Sequence, residues 1–148
     1  MRPLTGGTPA WGAIKFTRTS VYTSVITDPD VLLREGKDTA RMLGAGARAA
    51  AWVQSPGGAD LLEALSIAME GLISRTSGEG RPLKGIIVEG NSAVELLKPD
   101  IVIFMRGPSI KKGSEVFLSA ADVVCGLGGI KACVSRVMNL ISKKEAAK

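Results

Sequence analysis

The chain contains no histidine. That excludes Ser-His-Asp and Cys-His catalysis, His-ligated zinc and histidine general bases together. Any chemistry must rest on carboxylates, lysines, arginines, hydroxyls, backbone amides or a bound Mg²⁺. Cysteine is nearly as scarce, with Cys125 and Cys133 the only pair. Their separation matches no zinc spacing, and in a reducing compartment they read as buried, inert thiols. Aromatic residues make up 4% of the chain, too few for the stacking platforms of single-strand binders. No run approaches the roughly 18 apolar residues that a membrane span needs. Arg2 is not followed by the apolar core of a signal peptide, so a cytoplasmic protein is expected. A G-x-x-x-x-G-K-[ST] phosphate loop is also missing, since Gly6-Gly7 leads into no Gly-Lys-Ser/Thr.

What is present is a globular composition. The 148 residues are 45% apolar, enough for one domain with a sizeable core. A leader over 1–11 and a basic tail over 144–148 flank it. The net charge of +5 permits an anionic ligand without a dense basic block. Nucleic acid is not the expected main partner.

The pattern alternates strands and helices. Gly12 to Thr17 reads as a short strand, and Thr19 to Thr27, β-branched and partly alternating, as a second. Asp28-Pro29-Asp30 reads as a turn. Asp38 reads as the N-cap of a short helix ending near Gly44 and Gly46. Ala49 to Val53 is a further strand. Asp60 to Ser74 is the clearest helix, with Leu61, Leu62, Leu65, Ala68, Met69, Leu72 and Ile73 on one face. Asp60 and Glu63 have the spacing of a cap and its reciprocal partner. Ile101 to Met105 and Asp122 to Cys125 are strands, and Ser114 to Ala121 is a short helix. Ile130 to Lys143 closes the chain with Ile130, Val134, Val137, Met138 and Ile141 on one face. This order predicts an α/β fold of three layers, a mostly parallel sheet flanked by helices.

The most informative stretch is Lys84 to Asp100. Ile86, Ile87 and Val88 form a short apolar run suited to a strand covered on both faces. Glu89 falls at its carboxyl end, where open α/β sheets gather ligands. Gly90 and Asn91 make the turn, Ser92 and Glu95 have capping-box spacing, and Pro99 ends the helix.

Three segments in order resemble the molybdopterin-guanine dinucleotide biosynthesis protein B family of P-loop nucleotide-binding proteins. They are GAIKFT, then GKDTARMLGAGA, then GIIVEGNS, and the similarity spans roughly residues 12 to 106. The matching positions are Ile14, Lys15 and Thr17; Gly36, Lys37, Asp38 and Thr39; Ala45, Gly46 and Ala47; and Glu89 with Gly90. Phe16 stands where the family has histidine. Asn91-Ser92 stands where the family has Phe-Lys or Phe-Arg. The chain begins near the family's second strand, as an N-terminally truncated P-loop NTPase-like fold would.

The resemblance implies a GTP-binding accessory protein that assists a partner enzyme of molybdenum-cofactor maturation. It implies Glu89 as the acidic residue on a Mg²⁺-bound water. Lys15, Thr17, Lys37, Asp38, Gly90, Asn91 and Arg106 are the candidate nucleotide and anion contacts. Without the phosphate loop, hydrolysis is not expected of this chain alone. Each residue also has a plain structural reading. Glu89 is then a strand-end carboxylate, Asp38 and Ser92 are helix caps, and Lys15 is a surface lysine. Lys111 and Lys112 read as solvated. A different class of function fits the same residues: a non-catalytic protein-interaction module that kept the sheet and lost the nucleotide site. An edge left open by missing elements favours a homo-oligomer.

Overall fold

A computed structural model describes residues 10–19 and 21–148. Most of the expected leader, with Gly6-Gly7, lies outside the described residues. The chain gathers into two compact units, Met1–Ala93 and Val94–Lys148.

The first unit contains β1 (Trp11–Arg18), β2 (Ser24–Ile26), α1 (Pro29–Leu32), α2 (Asp38–Gly44), β3 (Ala49–Ser55), α3 (Gly58–Gly78) and β4 (Gly85–Glu89). Its sheet has the order β2-β3-β1-β4. β1 runs parallel to both β3 and β4, and β2 joins antiparallel at one edge. The unit is therefore α/β with a mostly parallel sheet flanked by helices. Side chains alternate across β1. Ala13 packs with Ala50 and Leu32, and with Met42 and Leu43 of α2. Gly12, one residue earlier, faces the other way, where a Cβ would meet Leu72 of α3 at 3.5 Å. Small residues on the central strands let both helical layers approach closely. Ile14, Ala51, Val53, Leu61 and Leu65 are fully buried. At roughly 1.5–3 kcal/mol for each large apolar side chain, their burial is the main favourable term for this unit.

Several local expectations are corrected. The second strand is confined to Ser24–Ile26; ahead of it the Thr19 hydroxyl donates to the Tyr22 carbonyl at 2.5 Å, and Ser20 lies outside the described residues. Asp28 caps α1 instead of making only a turn, accepting from the Asp30 amide at 2.9 Å. α3 is longer than expected, and its N-cap is Gly57 at φ 117 without a side-chain cap. Asp60 is thus not a cap. The Ser55 hydroxyl instead accepts from the Gly57 amide at 3.2 Å. Leu62 and Ile73 are exposed, and the buried seam runs through Leu61, Ala64, Leu65, Ala68, Leu72 and Thr76. The Thr76 hydroxyl is satisfied by the Leu72 carbonyl at 2.7 Å. β4 is an edge strand, and Ile87 is 56% exposed. Its apolar run is therefore not covered on both faces.

α4 (Asn91–Leu97) leads into the second unit, which holds β5 (Ile103–Met105), α5 (Glu115–Ala120), β6 (Val123–Cys125) and α6 (Ile130–Ala146). β5 and β6 form their own two-stranded parallel sheet. β5 is shorter than its apolar run, because the Val102 amide donates to the Asp122 carboxylate at 2.7 Å, just ahead of the ladder. Val123, Cys125 and Cys133 form the core, with Val137 and Leu140 against it. The seam of α6 is rotated from the expected one, leaving Ile130, Val134 and Met138 about half exposed. A small thiol at Cys133 allows close approach: its Sγ lies 3.5 Å from the Val124 carbonyl, as a weak donor. The neighbouring Cys133 thiol and then burial hold the Cys125 pKa above its ordinary value. α6 also absorbs most of the expected basic tail.

Candidate functional site

The site is built by register. Pairing of the parallel strands sets Lys15 of β1 beside Trp52 of β3 and beside Glu89 of β4. Lys15 and Thr17 point to the same side of β1, two residues apart. That side also carries Ala13 and α2. The loop before α2 then brings Lys37 against Trp52 and Asp38 against Lys15. The result is a cleft of about 200 Å³, lined by Lys15, Thr17, Gly36, Lys37, Asp38, Thr39 and Trp52.

The Lys15 ammonium is the hub. It lies 3.1 Å from Asp38 Oδ2 and 3.0 Å from Glu89 Oε1. Burial is the largest single influence on Lys15 and disfavours its charge. The hydrogen bonds and charges of Glu89 and Asp38 together outweigh it, and its pKa is raised. The hydrogen bond from Lys15, then its charge, holds the Asp38 carboxyl below its usual range. Asp38 is therefore not the helix cap. The N-cap is Lys37, without a side-chain bond, and Asp38 begins α2 with its carboxylate shared between Lys15 and Arg41. The negative charge also suits the amino end of the helix.

Trp52 forms the wall. Its indole Nε1 donates to Thr17 Oγ1 at 3.0 Å, and its ring packs against the Ala13, Leu32 and Ala50 cluster. The Lys37 ammonium stands 4.2 Å from the ring centroid, a cation–π contact of about 0.5–1 kcal/mol at an exposed site. Thr39 is buried and its hydroxyl donates to the Leu32 carbonyl at 2.7 Å, so it shapes the loop and has no spare proton for a ligand.

Lys15, Thr17, Lys37 and Asp38 are thus brought together, with Glu89 joined to them through Lys15. Gly90 and Asn91 follow Glu89. A Cβ on Gly90 would lie 2.9 Å from Phe16. The buried Phe16 occupies the opposite face of β1 from Lys15 and Thr17. Asn91 is exposed at the start of α4. Ser92 lies inside α4 instead of capping it, and its hydroxyl accepts from Arg18 Nη2 at 3.3 Å. Arg106 belongs to the second unit, where its backbone amide donates to the Cys125 carbonyl at 2.7 Å. Trp52 is the site residue that the sequence reading missed. A lone aromatic in an alanine-rich strand reads as core until the pairing with Lys15 is known.

The two carboxylates do not suit a Mg²⁺ ion as they stand. Mg²⁺ demands near-octahedral oxygen ligation, whereas Asp38 and Glu89 converge on an ammonium that already fills the cationic position. Among the described residues no group of three or more His, Cys, Asp or Glu could hold a metal. Nor is any helix among them long and apolar enough to cross a membrane. Comparison with known family models, curated proteins and solved structures returned no match.

Proposed function

We propose that the chain is a nucleotide-binding accessory protein that holds its ligand in the strand-end cleft without hydrolysing it. What carries this reading is the convergence of Lys15, Thr17, Lys37 and Trp52 on one cleft, on the α2 side of the sheet from the middle of β1 and β3 towards their carboxyl ends, near where open α/β sheets bind ligands. An aromatic wall beside a cation suits a base with an attached phosphate. The resemblance to the adaptor of molybdenum-cofactor maturation supplies GTP as the first nucleotide to test. It also supplies a P-loop NTPase-like ancestry, a cytoplasmic location and a partner enzyme. Self-association through the open β4 edge, where Ile87 is exposed, belongs to the same proposal.

Calorimetric titration of the purified chain with GTP tests this directly. A Kd tighter than about 1 mM, equivalent to about 4 kcal/mol, is expected, with no phosphate released on incubation. Absence of binding at millimolar GTP would contradict the reading. A second reading, a non-catalytic interaction module, draws on the engagement of both site carboxylates by Lys15. Under it Glu89→Gln leaves every activity unchanged; loss of function in that variant would remove it.

A further inference from the structure

We infer that the cleft reads one fused aromatic ring and one anionic group, and not a polyphosphate. This rests on the proposed nucleotide reading and adds which part of the nucleotide is recognised. The cleft measures about 200 Å³, below the roughly 300 Å³ at which small-molecule sites usually begin. It is too small to enclose a whole nucleoside triphosphate.

Lys15 is engaged by Asp38 and Glu89, and Arg41 is engaged by Asp38. Among the residues lining the cleft, Lys37 is the cation held by an aromatic ring and not by a carboxylate. One uncommitted cation matches one anionic group. Further phosphates would meet the Asp38 carboxylate on the cleft wall, beside a Lys15 whose charge Asp38 and Glu89 already outweigh.

The wall of the cleft is fixed. Trp52 is tethered at its Nε1 by Thr17 and backed by the core. It offers a rigid indole whose present neighbour is the flexible Lys37 side chain. A purine takes the place of the ammonium on the ring, and Lys37 swings to the phosphate.

The test uses the full chain with Trp11→Phe, so that Trp52 alone reports by fluorescence, with calorimetry run alongside. GMP, GDP and GTP are expected to quench Trp52 with Kd values within about threefold of one another, and ribose 5-phosphate to bind at least about tenfold more weakly without quenching. Lys37→Ala is expected to weaken GMP about tenfold while changing guanosine little. A preference for GTP over GMP of about tenfold or more would overturn the inference. So would calorimetric binding that leaves Trp52 emission unchanged. Either result leaves the nucleotide-binding reading intact. No heat with any of the three nucleotides would remove both.

Discussion

Gly90→Ala is expected to destabilise the fold by roughly 2–5 kcal/mol, combining backbone strain with overpacking. Gly90 has φ 149, a region that residues with a Cβ rarely adopt. An added Cβ would also lie 2.9 Å from both Cβ and Cδ1 of Phe16. Phe16 is buried within β1 and cannot move aside without opening the core. Gly46→Ala is the control. Gly46 has φ 110 but nothing within 4 Å of an added Cβ, so it isolates the backbone cost. Urea unfolding of both variants should show the larger loss at Gly90. Equal losses would mean that Phe16 does not constrain the turn after Glu89.

Lys15→Met should lower stability by about 1–2 kcal/mol at neutral pH and leave Asp38 and Glu89 unpaired. Each partly exposed pair is worth about 0–1 kcal/mol after solvent screening, and the two carboxylates then repel one another across the vacated position. The pH dependence follows from the shifts. The Asp38 pKa is lowered in the folded state, so its contribution is present above the unfolded value of about 3.9 and lost as pH falls through the lower folded value. The Lys15 pKa is raised, so its contribution is fully present below the unfolded value of about 10.4 and lost as pH rises through the folded value. The gap between wild type and variant should therefore hold across neutral pH and shrink progressively below about pH 4. Urea midpoints at pH 7 and in acid measure it. A gap unchanged in acid would mean that Lys15 acts by packing alone. Removing the Lys15 charge leaves the Asp38 carboxylate unbalanced on the cleft wall, so GTP affinity should fall about tenfold in this variant, or about 1.4 kcal/mol.

Much of the fold was legible where apolar runs and periodicity were uninterrupted. The alanine-rich run of β3, the Ile-Ile-Val run of β4 and the long α3 fall where the pattern places them. Helix starts were less legible. Asp38, Asp60 and Ser92 all have cap-like spacing, yet none accepts a capping bond. The Lys15 ammonium and the Arg18 guanidinium compete for Asp38 and Ser92, and those partners come from a distant strand. Exposure was legible only once strand order was known. Ile87 resembles a buried residue by composition, but β4 lies at an edge.

The candidate site divides in the same way. Lys15, Thr17, Lys37, Asp38 and Glu89 are recognisable from local motifs. Trp52 is not, because its part depends on a register set more than thirty residues away. Nor could the spacing show that Lys15 is already neutralised by two carboxylates, which makes Lys37 the cation available to a ligand.

Amide chemical-shift mapping of the full chain during a GMP titration would locate the nucleotide on the molecule. Shifts are expected to concentrate at Thr17, Gly36, Lys37, Asp38 and the Trp52 indole N–H, saturating together. Shifts centred on Gly57 to Asp60 or on the second unit, or no shifts at millimolar GMP, would contradict binding in this cleft.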